Sequence, residues 1–183
     1  MTSNVESVSL THRDLDATPD DGNLYEVIDG VLYMTPFATT AHQRTVTQLG
    51  SLLNTHVRDH SLGEVFTSGL KVVLDEPSGV GPDVIFISNA RLDGLQSDGY
   101  YGAPSLLVEV LSSKPILDTR VKMQKYARAG VPHYWIVDPV SKCLSAYRLE
   151  GSAYRSVTER SGGETFESEL FPGLVIQLND LWL

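Results

Sequence analysis

The apolar positions of this chain change period several times, and each change marks an element. Between Leu24 and Met34 apolar residues alternate on both sides of Asp29-Gly30, which predicts a β-hairpin with a tight turn. From Thr40 to about His60 the spacing turns helical. Val46, Leu49, Leu53 and Val57 recur at intervals of three and four, and Gly63 ends the run. Residues 64–75 read as strand and Glu76-Pro77-Ser78-Gly79 as a turn. Pro82-Asp83 opens a short buried strand, VIFIS, and Asn89 to Leu92 a helical turn. LLVEVL (106–111) is the next strand. Asp118 to Ala129 is helical, with Gly130 as its C-terminal stop. HYWIVD (133–138) is a strand that Pro139 ends. CLSAYRLE and SAYRSVTE form an antiparallel pair around Gly151. Phe171-Pro172-Gly173 turns the chain into LVIQL, and NDLW closes it with a helical turn. At the other end residues 1–9 are expected to be loose, and Thr11 to cap a short helix through Ala17. Strands with inserted helices and late hairpins imply a mixed α/β sheet in one domain spanning residues 1–183.

One strand carries a carboxylate where its pattern calls for hydrocarbon. Alternation places Leu107, Glu109 and Leu111 on one face of LLVEVL, and Leu106, Val108 and Val110 on the other. A lone buried carboxylate is costly and tends to protonate, so Glu109 needs a cation, a set of donors or an open cleft. An ordinary salt bridge or a hydrogen bond to a loop meets that need. Asp83, at the head of VIFIS, shifts the balance. Adjacent strands can bring the two carboxylates together, and such a pair repels itself unless a cation intervenes. Mg²⁺ favours carboxylate oxygen and retained water, and suits phosphoryl chemistry. Lys122, one turn before Tyr126, is a candidate for stabilising phosphate charge or orienting water. Lys125 is its rival on the same helix, and helical lysines are mostly solvated. Glu26, inside LYEVI, either joins such a site or lies on the open face of the hairpin. His42, at the start of the first long helix, is either a substrate contact or a cap or surface residue.

Charge and cysteine content narrow the setting. Fourteen Lys and Arg stand against 23 Asp and Glu, a formal net charge of −9. That balance argues against indiscriminate nucleic-acid binding, which needs many cationic phosphate contacts, but leaves room for a local basic groove. Arg44, Arg58, Lys71, Arg120, Lys122, Lys125 and Arg128 are its candidate members. The one cysteine, Cys143, allows no intrachain disulfide and fits a reducing cytoplasm. No Cys/His cluster suggests zinc, no segment reads as a signal peptide, and no apolar run has the length of a membrane span.

In this order LYEVIDGVLYM, AHQRTV, GPDVIFIS, LLVEVLS and DTRVKMQKYARAGVPHYWIVDP resemble the Uma-type restriction endonuclease family of bacteria, part of the PD-(D/E)XK nuclease superfamily. The match runs from about Leu24 through Pro139, and FPGLVIQLNDLW also fits. The resemblance implies a restriction-endonuclease-like α/β fold, a central mixed sheet flanked by helices with additional antiparallel strands. It puts Asp83 at the PD position and Glu109 at the (D/E) position, both binding Mg²⁺ or Mn²⁺, with the Val110 carbonyl as a further ligand. Glu26 matches the upstream acid. The superfamily lysine is missing two residues after Glu109, where Leu111 stands, and Lys122 takes the matching place in D-x-x-x-K-x-x-x-Y, with Asp118 and Tyr126 as support. His133 stands where the family often has an acid. The activity so implied is metal-dependent endonucleolytic hydrolysis of DNA by a homodimer, with no organic cofactor. Two alternatives remain beside it: a nuclease-fold binding module with little or no activity, and a nuclease acting on RNA.

Overall fold

The structure is a computed structural model that describes residues 9–112 and 115–182. All but the last residue of the segment expected to be loose, residues 1–9, lies outside the described residues. Thr11 does cap a short 3₁₀ helix, His12–Ala17, in a capping box with Asp14. The hairpin follows as β1 (Leu24–Ile28) and β2 (Val31–Thr35). Asp29 and Gly30 both take positive φ, at 50° and 79°, which is the twist a two-residue turn needs to join antiparallel strands. Helix α1 (Thr40–Asp59) starts at Thr39, whose side chain accepts the His42 N–H.

Residues 64–75 depart from the single expected strand. They split into β3 (Gly63–Thr67) and β4 (Val72–Asp75), which lie in different sheets. Alternation alone cannot reveal this, because both halves are strand-like and only their partners differ. The expected turn shrinks to Glu76-Pro77, since β5 (Ser78–Val80) already begins at Ser78. There follow β6 (Val84–Ser88), a 3₁₀ turn Asn89–Gly94, β7 (Leu95–Gln96), β8 (Gly99–Tyr101) and β9 (Leu106–Val110). The next helix begins earlier than expected. Residues 115–128 are helical, with a π turn at Leu117–Lys122 leading into α2 (Met123–Arg128). Gly130 ends it at a φ of 79°. The remaining strands are β10 (His133–Asp138), β11 (Cys143–Glu150), β12 (Ala153–Ser161), β13 (Thr165–Glu167) and β14 (Val175–Gln177).

Among the described residues the strands form two six-stranded sheets and a ribbon. One sheet runs β2-β1-β5-β4-β8-β7, the other β12-β11-β10-β9-β6-β3, and β13 pairs with β14. The second sheet is mixed, because β9 is antiparallel to β6 and parallel to β10. Its two faces sort as the alternation of β9 requires. Leu106, Val108 and Val110 pack with Val46, Leu49, Leu53 and Val57 of α1. Leu107 packs on the opposite side with Ile85, Ile87, Tyr126 and Tyr134. Glu109 shares the face of Leu107, toward the helix that follows and the first sheet. Among the described residues no helix is long and apolar enough to cross a membrane.

Candidate metal and catalytic centre

Four acids from four parts of the fold line one cleft of about 210 Å³, together with His42, Val110 and Lys122. Glu26 comes from β1 of the first sheet, Glu109 from β9 of the second, Asp118 from the π turn, and Asp83 from the residue before β6. The β6–β9 register pairs Val84 with Val108, so one further step sets Asp83 opposite Glu109. The juxtaposition expected of these two acids is therefore built by antiparallel pairing.

Lys122 ties the cluster together. Its ammonium lies 2.9 Å from Glu26 Oε1, 3.1 Å from Glu109 Oε1 and 3.5 Å from Asp118 Oδ1. Asp118 and Lys122 stand four residues apart in the π turn, the helical spacing that sets two side chains on one side. Tyr126 O–H donates to Glu109 Oε1 at 2.6 Å, and Tyr134 O–H to the Asp118 carbonyl at 3.0 Å. Lys125 faces elsewhere. It pairs with Asp29 and Asp75 and is not part of the cleft lining.

Asp83 is held from two sides. Its Oδ2 accepts the Val110 N–H at 2.8 Å and lies 3.2 Å from His42 Nε2. Glu26 Oε1 also accepts the Gly81 N–H at 2.9 Å. Sequence reasoning missed this contact, although Gly81 sits just before the Pro-Asp pair and could have marked a close backbone approach.

The electrostatics follow from too many acids in a dry place. Burial pushes the Glu109 carboxyl well above its ordinary pKa, and Lys122 opposes this only in part. Burial likewise pushes Asp118 up to about 6 against the pull of Lys122. Burial works to lower the Lys122 pKa, but Glu109, Glu26 and Asp118 outweigh it and hold the ammonium charged. For His42 burial also works downward, and the hydrogen bond to Asp83 reverses it.

Whether these residues fit a divalent cation can be tested on their free oxygens. The side-chain contacts described above fall on one oxygen of each acid: Oε1 of Glu26, Oε1 of Glu109, Oδ2 of Asp83 and Oδ1 of Asp118. Glu26 Oε2 is fully buried without a partner. Four carboxylates against one ammonium and one imidazole suit a further cation by charge and by hard oxygen donors. Among the described residues no three His, Cys, Asp or Glu side chains already surround a common metal position. The fit thus lies in the donor set, and the Lys122 ammonium occupies the middle of it.

The chain belongs to the family described as "Putative restriction endonuclease" (Uma2), whose model matches residues 13–179. Its fold is shared with a crystal structure described as a putative nuclease belonging to DUF820 from Anabaena variabilis ATCC 29413. The TM-score is 0.75 at 17% identity, over 94% of this chain and 97% of that one. No curated protein gives a significant match.

Proposed function

We propose that the protein is a metal-dependent phosphodiesterase acting on DNA. The observation that supports this best is Lys122, held among carboxylates from two sheets and a π turn, in a cleft where Glu26 keeps a buried free oxygen. Asp83 and Glu109, with the Val110 carbonyl, would hold Mg²⁺ or Mn²⁺. Such an ion supplies Lewis acidity to a phosphate and lowers the pKa of water. The chain's own groups do the rest. Lys122 offers fixed positive charge to the phosphate oxygens, where charge grows during hydrolysis. Glu26 Oε2 is a buried acceptor for a water proton. His42 and the Val110 N–H fix the orientation of Asp83, and Tyr126 fixes that of Glu109.

A second reading is a binding module that keeps the fold and turns over slowly or not at all. The lack of a preformed three-acid metal position among the described residues favours it. Cleavage of plasmid DNA, single-stranded DNA and RNA in Mg²⁺, Mn²⁺ or EDTA separates the readings. Metal-dependent DNA cleavage is expected, and is expected to vanish in Asp83→Ala and Glu109→Ala while their thermal unfolding stays cooperative. Full activity in either variant would sink the assignment. Metal binding without turnover by the native chain would leave the binding module, and cleavage of RNA alone would change the substrate.

A further inference from the structure

The rim of the cleft is built unlike its floor. The floor is charged, whereas the rim carries Leu24, Pro36 and Phe37. Phe37, in the loop between β2 and α1, is 78% exposed and is the one aromatic among the exposed large apolar side chains described. A single exposed apolar residue is ordinary. This one stands at the mouth of the acidic cleft, and its ring tip has a seat. A Cβ at Gly22, another rim residue, would lie 2.2 Å from the Phe37 Cζ. Gly22 also takes a φ of 80°, so only glycine serves there without strain. The ring is therefore seated at one edge and open over most of its surface.

Four basic side chains outside the cleft have partners elsewhere. Lys71 pairs with Asp16 and Asp98, Lys125 and Arg128 with Asp29, and the Arg44 Nε donates to the Trp182 carbonyl. Among the described residues Lys122 is the only Lys or Arg lining the cleft, and it is already surrounded by acids. Duplex binding rests on many cationic phosphate contacts, and this site does not supply them. Stacking of an unpaired base on an aromatic ring needs no cation and strengthens binding roughly 5- to 150-fold per base.

Building on the nuclease reading above, we propose that Phe37 is a stacking platform for an unpaired base beside the scissile phosphate. The substrate is then single-stranded or frayed nucleic acid in preference to intact duplex.

The test titrates the full chain, Phe37→Ala and Phe37→Trp with labelled single-stranded DNA, single-stranded RNA and blunt duplex DNA of one sequence. Binding is read by fluorescence anisotropy in EDTA and in Mg²⁺, and cleavage is followed alongside. A single strand should bind at least about tenfold tighter than duplex. Phe37→Ala should lose about tenfold or more, and Phe37→Trp should keep the affinity. The tighter of the DNA and RNA strands identifies the sugar. Because the ring is exposed, the alanine variant should melt at the native temperature. Equal or tighter duplex binding, or affinity unchanged in Phe37→Ala, overturns the stacking proposal, and metal-dependent cleavage that persists leaves the nuclease reading intact. Phe37-dependent strand binding without cleavage supports stacking and defeats the nuclease reading. Failure to bind any of the three defeats the stacking proposal.

Discussion

Lys122 and Lys125 lie less than a turn apart, both are 3% exposed, and both are ion-paired to several acids. By burial and pairing they look alike. They differ in the company their partners keep. The acids of Lys122 are themselves buried, Glu26 at 0% and Glu109 at 3%, and they line a cleft. The acids of Lys125, Asp29 and Asp75, have side chains 47% exposed and belong to the hairpin turn and the end of β4. Lys125 clamps the helix to the first sheet, and Asp29 also takes Arg128 in that clamp. A buried lysine is thus poor evidence of function until its partners are examined. A site is marked by acids that stay buried although one ammonium cannot neutralise them all.

Replacing each lysine with methionine breaks or confirms this distinction. Lys122→Met should lower cleavage by about 10²- to 10³-fold, the usual loss when a preorganised charge is removed. It should also raise Mn²⁺ affinity in a calorimetric titration, because the ammonium no longer competes for the acids. Lys125→Met should leave the rate within about twofold. It should shift the urea midpoint by the equivalent of about 1–2 kcal/mol, less than for a fully buried pair because its acids are half open to water. Equal losses of activity and unchanged Mn²⁺ affinity in both variants would reduce Lys122 to a second clamp.

Tyr126 sharpens the same contrast from the side of the acid. Its hydroxyl donates to the buried Glu109 at 2.6 Å. Tyr126→Phe removes a donor without creating space, and should cost about 1.5–3 kcal/mol of stability, as for hydrogen bonds to charged groups. Its cleavage rate should fall far less than that of Lys122→Met, since Glu109 keeps Lys122. A rate loss as large as that of Lys122→Met would move Tyr126 from support into the chemistry.

Much of this was legible in the sequence, and the parts that were not share a cause. The Asp29-Gly30 turn, the alternation around Glu109 and the bounds of β10 are local properties of a few residues. So is the Pro-Asp step that starts β6. The split of residues 64–75 depends on partners far along the chain, because β3 joins β6 while β4 joins β5 and β8. The choice of Lys122 over Lys125 for the cleft rests on which acids each lysine meets, and those acids come from other elements that helical spacing does not announce. Glu26 read equally well as an exposed hairpin residue. Its burial comes from Gly81 and Lys122, neither of which is near it in sequence. Of the candidate basic residues, Lys71, Lys125 and Arg128 are paired with acids that arrive from other elements, which spacing along the chain does not announce.

The comparison extends to a half-buried base whose cross-strand partner is a cation. His133 in β10 is paired across the strands with Arg148. Burial, and then Arg148, hold its imidazole below the ordinary pKa. The folded chain therefore binds this proton less tightly than the unfolded chain does. Stability is complete above about pH 6.5 and declines as the pH falls below that value, until the folded form also protonates. His133→Glu puts an acid opposite Arg148. Arg148 already has Glu150 and Glu169, so the gain should fall in the lower part of the usual cross-strand range of about 0.2–1 kcal/mol. Urea midpoints at about pH 8, 6.5 and 5.5 measure it. The variant should lose less stability than the native chain between the last two values. An identical decline in both proteins would show that another group carries the acid sensitivity, and that the imidazole beside Arg148 is adequately solvated.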